Sequence, residues 1–416
     1  MITLPPSKSI GARYLVASYF SGTLPADPVF DENDDLILLQ EALLEVYSDE
    51  EPIDYGDSLI DVGASGTALR FVTAICASSP GADYVITGTQ RLMARPMTPL
   101  VNLLRDAGAG IEALGENVSG PYRVKGNQLK GGSFCIPGDI SSQFISALML
   151  VAPYWGKGIK LTFTTPLVSA PYVAMTAKMM ERFGIKVFLS DTDVEVEAGK
   201  YENTEDFKVE SDWSGASFFY EACVLGATDV KMANLQSQFN SLQGDSVAVD
   251  IFSKLGVESL FDAAGVSIFR TGKLPKRVEV DFKDCPDLFL PYGVACLCSG
   301  VKFKFTGVHN LRLKESDRIQ SLILESAKLG FKVKAETNSV EWEGELTEAS
   351  PSTAIIDTYE DHRVAMSFAM AALKYGEIKI RNPRVVEKSF INFWNELPKI
   401  GLSCEEANDI MTVRKS

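Results

Sequence analysis

One local pattern recurs along this chain at nearly constant spacing. LLRDAGAGI, MMERFGIKV, IFSKLGVES, ESAKLGFKV and LPKIGLSCE each run from an amphipathic stretch through a glycine into apolar or β-branched residues. The glycines are Gly108, Gly184, Gly256, Gly330 and Gly401, at intervals of 76, 72, 74 and 71 residues. Each stands where a helix C-cap needs positive φ and where a strand follows. A second series interleaves with the first. Polar or small residues open an apolar helix in PSKSIGARYLVA, GASGTALRFVTA, GDISSQFISALM, SDWSGASFFYEA, DCPDLFLPYGVA and YEDHRVAMSFAM, near residues 7, 64, 140, 212, 285 and 361. Apart from a shorter first step, the period is again about 72–76 residues. The pattern predicts six βαβαβ-type units, each with one buried and one half-exposed helix. A solenoid that merely presents a surface is the competing arrangement. The repeat is longer than common solenoid units, however, and two domains of three units suit 416 residues.

The charge balance narrows the function. There are 40 Lys and Arg against 55 Asp and Glu, a net charge of -15. Nonspecific nucleic-acid binding needs a broad basic surface, so it is not expected, although a local basic cluster remains compatible with this balance. The seven cysteines are scattered, only Cys296 and Cys298 being close, and His309 and His362 are the only histidines. That excludes a His-rich metal site, disfavours a zinc–cysteine cluster and suggests reduced thiols in a cytosol. Met1–Thr3 leads at once into Pro5-Pro6, so no secretory leader is expected, and the apolar stretch around Phe144–Trp155 is too short to span a bilayer.

Cations sit where helix electrostatics disfavour them. Lys8, Arg13, Arg70 and Arg363 lie in the first turns of apolar helices. A helix N-terminus carries partial positive charge and free N–H groups, which makes it an anion site. HNLRLKESDRIQ adds Arg312, Lys314 and Arg318, RLMARP adds Arg91 and Arg95, and Lys388 precedes the last helix. Any one of these is an ordinary solvated charge. The set together implies a compensating ligand with phosphate and carboxylate groups, for which Arg is the bidentate partner. Ser141, Ser142 and Gln143 at a helix start, and Thr67 after Gly66, offer further polar contacts, although serine pairs there are commonly plain caps. Asp287, Glu315 and Asp361 lie among the cations. They could move protons, or could serve as helix caps and an ordinary ion pair.

These residues fall into a familiar order. PPSKSIGAR, GASGTALR, TGTQRLMARPM, SSQFISALML, LVSAPY, CPD, NLRLKESDR and DHRVAMSF resemble, nearly end to end, the motifs of the 5-enolpyruvylshikimate-3-phosphate synthases, a family of enolpyruvyl transferases. The resemblance implies a two-domain inverted α/β barrel of six βαβαββ repeats. One domain would span residues 8–211, the other 212–416 joined by residues 1–7, with the active site in the cleft between them. It implies transfer of the enolpyruvyl group of phosphoenolpyruvate to the 5-hydroxyl of shikimate 3-phosphate, with release of phosphate, in a cytoplasmic monomer that needs no metal or organic cofactor. Lys8, Ser9, Arg13, Ser141, Ser142, Gln143, Ser169, Tyr172, Asp287, Asn310 and Lys314 would hold shikimate 3-phosphate. Lys8, Gly66, Arg95, Arg318, Arg363 and Lys388 would hold phosphoenolpyruvate, with Arg70 a further Arg of the cleft. Asp287 matches the base on the hydroxyl, Glu315 the proton donor to carbon, and Lys8 a stabiliser of anionic charge.

Some positions depart from the family pattern. Ala64 replaces an Asn, Phe71 a Pro, Ala170 a commonly basic residue, and Met93 and Ala94 charged residues. Phe71 bears on the helix start and on sensitivity to glyphosate-like inhibitors. Met1 lies so close to Lys8 that an N-terminal strand common in the family is expected to be missing. Two alternatives remain. The related transferase acting on UDP-N-acetylglucosamine normally carries a Cys in the loop matching RLMARP and Lys-Asn at its first motif, where this chain has no Cys and Lys8-Ser9. A catalytically inactive anion-binding homologue is the other, against which Lys8, Asp287, Glu315, Arg318 and Lys388 argue.

Overall fold

All six apolar helix starts become helices in the computed structural model, which describes residues 1–30, 33–47, 58–116, 120–204, 207–228, 230–349, 351 and 354–416. The chain divides into two compact units, Lys8–Val209, and Met1–Ser7 together with Glu210–Ser416. Within the first, the helices Lys8–Ser21, Gly66–Ser78 and Ser142–Val151 pack on one another. Within the second, Trp213–Leu225, Phe289–Ser299 and His362–Met370 do the same. These helices are apolar nearly all round, and nearly every residue of Trp213–Leu225 and Phe289–Ser299 is buried. No described helix is long and apolar enough to cross a membrane.

The strands repeat one topology. Ser58–Asp61 pairs parallel to Asp83–Thr87, which pairs antiparallel to Tyr122–Lys125, which pairs antiparallel to Gly110–Ala113. The sheets beginning at Gly132, Arg277 and Ile355 share that order, their strands numbered one, two, four, three along the chain. Alternating burial, as in Arg277–Asp281, shows why: one face meets the helices and the other is polar. The sheet Val230–Ala233, Gly265–Arg270, Val257–Asp262 has three strands, and Ile2 completes it. The Ile2 amide donates to the Lys231 carbonyl and its own carbonyl accepts from the Ala233 amide, while its side chain is buried. As expected, no strand precedes Lys8 among the described residues; Ile2 makes a single bridge to Met232. The unit that opens at Lys8 contributes the helices Lys8–Ser21 and Asp34–Tyr47 with no strand among the described residues, in keeping with the short first step of the repeat.

The five repeat glycines all have positive φ, at 114° for Gly108, 82° for Gly184, 77° for Gly256, 97° for Gly330 and 83° for Gly401. Gly401 ends the Leu397–Ile400 turn, and a Cβ there would meet nothing within 4 Å. Gly401→Ala therefore isolates the cost of a left-handed L-residue. Urea denaturation should show a loss of about 1 kcal/mol, and an unchanged midpoint would remove the C-cap assignment.

Candidate active site

Contacts join helix starts within each unit: Gln143 meets Thr67 in one, and Asp287 meets Arg363 in the other. In the Lys8–Val209 unit Arg13 carries the junction. Its side chain is buried and bonds Thr176 Oγ1 at 2.6 Å, Ser146 Oγ at 3.0 Å, the Ser9 carbonyl at 2.7 Å and the Tyr172 carbonyl at 3.2 Å. None of these partners is a carboxylate. Burial accordingly lowers the Arg13 guanidinium to about 10. Its Cζ lies 5.9 Å from the ring centroid of the buried Phe71, one of the departures from the family pattern. Arg13 thus ties Ser9 and Tyr172 to the Gly66–Ser78 and Ser142–Val151 helices.

Lys8, half-buried at the helix start, pairs with Asp35 at 2.9 Å. Asp35 lies in an acidic first turn, DDLILL, which reads in the sequence as a routine helix start. Arg70 is buried, donates to the Gly66 carbonyl at 2.5 Å and lies over the Phe144 ring at 5.3 Å. Gly66 permits close approach. A Cβ there would sit 2.6 Å from Arg70 Nη1 and 2.7 Å from Arg95 Nη1. Gln143 Nε2 donates to Thr67 Oγ1 at 3.1 Å, so the starts of those two helices also meet. Ser141 is exposed and makes no capping bond, and Ser142 is half-buried. Ser169 precedes the Ala170–Arg182 helix in a left-handed conformation, φ 57°, which costs about 1 kcal/mol for a residue with a Cβ.

Carboxylates dominate the other unit. One guanidinium, Arg318, is 1% exposed and divides its donors among three acids. Nε binds Asp361 at 2.9 Å, Nη1 binds Asp287 at 2.7 Å and Nη2 binds Glu315 at 2.8 Å. Asp361 also caps its helix through the Arg363 amide and accepts from Ser316 Oγ. It combines the capping role and the charge role that its position left open. The second oxygen of Asp287 takes Arg363 Nη2 at 2.9 Å. Burial would raise the Asp287 carboxyl, but Arg363, Lys314 and Arg318 outweigh it and hold it far below the usual carboxylate range. Burial lowers the Lys314 ammonium against the pull of Asp287.

The expected binding residues of this unit keep donors in hand. Lys314 is half-buried and makes no hydrogen bond or ion pair to the described residues, and the buried Nε–H of Arg363 finds no acceptor among them. Asn310 is half-buried in the His309–Leu313 turn, and Lys388 donates to the Glu360 carbonyl at 3.2 Å. Sequence reasoning missed Asp245. It lies in the turn Gly244–Val247 and accepts from Ser214 Oγ at 2.5 Å. Its only sequence signal was an acid opening a short helix. Sets of this kind, cations around ionised carboxylates at helix starts, suit small polyanions and a proton transfer beside them.

Comparison with known proteins gives the same direction. Residues 37–397 match the family model described as EPSP synthase (3-phosphoshikimate 1-carboxyvinyltransferase). The chain is 38% identical over 403 residues to the 3-phosphoshikimate 1-carboxyvinyltransferase of Bacteroides fragilis, covering 96% of this chain and 95% of that protein. It is 32% identical over 414 residues to that of Methanosphaera stadtmanae, covering 94% and 95%. An EPSP synthase structure from Acinetobacter baumannii aligns with a TM-score of 0.72 at 25% identity, over 99% of this chain and 96% of that one. With motifs, fold and full-length relatives in agreement, the chain belongs to the EPSP synthase family, the 3-phosphoshikimate 1-carboxyvinyltransferases.

Proposed function

We propose that this chain is a transferase of the shikimate pathway that moves the enolpyruvyl group of phosphoenolpyruvate to the 5-hydroxyl of shikimate 3-phosphate and releases phosphate. The observation that carries the chemistry is the Arg318 fork, which fixes Asp287 and Glu315 on adjacent nitrogens of one guanidinium. Asp287 takes the hydroxyl proton. The hydroxyl oxygen bonds to the second carbon of phosphoenolpyruvate while Glu315 gives a proton to its methylene carbon. Expulsion of phosphate from the resulting tetrahedral intermediate, with return of a proton from the new methyl group, restores the double bond. Bound between two arginines, Asp287 is ionised but weakly basic. A substrate carboxylate or phosphate that engages Arg363 and Arg318 loosens that hold and raises its basicity as binding proceeds.

In this reading Lys8, Ser9, Arg13, Ser141, Ser142, Gln143, Ser169, Tyr172, Asp287, Asn310 and Lys314 serve shikimate 3-phosphate. Lys8, Gly66 and Arg95, and Arg318, Arg363 and Lys388, serve phosphoenolpyruvate. Arg13 acts through the residues it orders, because most of its donors are already bound within the protein. The seven cysteines are all unpaired thiols, which supports a cytoplasmic location.

Phosphate release should require shikimate 3-phosphate as acceptor. Turnover with UDP-N-acetylglucosamine instead, or with neither, would overturn the assignment. Asp287→Ala should lower kcat by about 10²–10⁴-fold with KM values little changed, and near-wild-type turnover would remove it from the role of base. Gly66→Ala should push Arg70 and Arg95 aside and raise KM for phosphoenolpyruvate about tenfold or more. Steady-state kinetics at saturating shikimate 3-phosphate measures it, and an unaltered KM would make the close approach at Gly66 purely structural.

A further inference from the structure

The turn ahead of the Asp361 cap is held in a conformation that its own residues disfavour. Tyr359 and Glu360 both have positive φ, 54° and 59°, and neither is a glycine. Two left-handed residues with a Cβ in succession persist only where surrounding contacts over-determine them. Three such contacts are side-chain bonds. The Tyr359 hydroxyl donates to Glu325 Oε1 at 2.5 Å, Asn382 Nδ2 donates to Glu360 Oε1 at 2.8 Å, and Asp361 accepts from Arg318 and Ser316. Glu325 is fully buried and lies seven residues after Arg318 in the Arg318–Lys328 helix, two turns along the same face. One helix face thus holds both ends of the turn. Its entry is tied to the same helix. Glu325 Oε2 accepts from the Asp357 amide at 2.9 Å, and Lys328 Nζ donates to the Ile355 carbonyl at 2.9 Å and to the Asp357 carboxylate at 2.7 Å.

The turn does more than lead into a cap. The Glu360 carbonyl accepts from Lys388 Nζ at 3.2 Å. That bond uses one of the three N–H donors of the ammonium and sets where the others point. Without it a lysine is a point charge on a flexible stem. If Tyr359 and Glu360 relaxed to negative φ, the carbonyl would turn away and Lys388 would lose its anchor. We propose that Tyr359 is a positioning residue of the phosphoenolpyruvate site: its hydroxyl, bonded to Glu325, locks the left-handed turn whose carbonyl aims Lys388 at the substrate anion. This rests on Lys388 being a phosphoenolpyruvate ligand. The phenol acts through the backbone and takes no part in proton transfer.

The test is Tyr359→Phe, which keeps the ring and removes only the hydroxyl, set in a cycle with Lys388→Met. Steady-state kinetics and melting temperature are measured on the wild type, both single variants and the double variant. Tyr359→Phe should raise KM for phosphoenolpyruvate about three- to tenfold, the worth of one hydrogen bond. KM for shikimate 3-phosphate and kcat should stay within about twofold. Lys388→Met should raise KM for phosphoenolpyruvate about tenfold or more. In the double variant, loss of the hydroxyl should add less than about twofold to the Lys388→Met value, because the two residues act on one contact. A hydroxyl that serves stability alone would lower the melting temperature and leave both KM values unchanged. That result would overturn the proposal, as would a fully additive rise in the double variant. If Lys388→Met raises KM for phosphoenolpyruvate and Tyr359→Phe does not, this inference alone fails. An unaltered KM in Lys388→Met withdraws Lys388 as a ligand, and with it the reading on which the inference stands.

Discussion

A single buried guanidinium organises the Glu210–Ser416 part of the molecule. Arg318 takes one acid from the turn before the Phe289–Ser299 helix, one from its own upstream loop and one from the cap of the His362–Met370 helix. Removing one partner from such a buried set typically costs about 3–5 kcal/mol, because the remaining charges lose their compensation. The arrangement is consequently a poor source of net stability and a strong source of geometry. Its planar fork sets the separation of Asp287 and Glu315 more rigidly than two independent pairs could. The proposed proton transfers, to one substrate and from the other, need that kind of fixed spacing.

The Lys8–Val209 unit uses the same residue type differently. Arg13 is as deeply buried as Arg318, yet its partners are hydroxyls and carbonyls. Burial therefore wins and lowers Arg13, whereas three carboxylates outweigh burial and raise Arg318. One unit holds a cation whose charge is spread into neutral dipoles. The other holds a cation already neutralised by three carboxylates, among them the two proposed to handle protons. That asymmetry suits a reaction in which two polyanions must be held but only one locus moves hydrogen.

How much of this was legible in the sequence depended on range. The repeat glycines and the six helix starts are local features, set by φ preference and by composition within a turn, and they stand in the structure where their spacing put them. Lys8, Arg13, Arg70 and Arg363 stood out because their positions violate helix electrostatics. What escaped were partnerships between distant segments. Nothing local distinguishes Asp35 from an ordinary first-turn acid, yet it pairs with Lys8. Asp245 shares a charge environment with Asp287 across some forty positions of chain, and only packing reveals it. Ile2 was too short a signal to read as a strand, because its pairing draws on residues 231 and 233 and not on its own neighbours.

That last contact orders events during translation. Ile2 emerges from the ribosome well before its hydrogen-bonding partners, which follow more than two hundred codons later. Every residue of the Lys8–Val209 unit is made in the interval and can fold as domains commonly do, N-terminal part first. The opening segment must wait, unpaired, and can dock only once the Val230–Ala233 strand is out. Residues 1–7 are thus among the last to find their place.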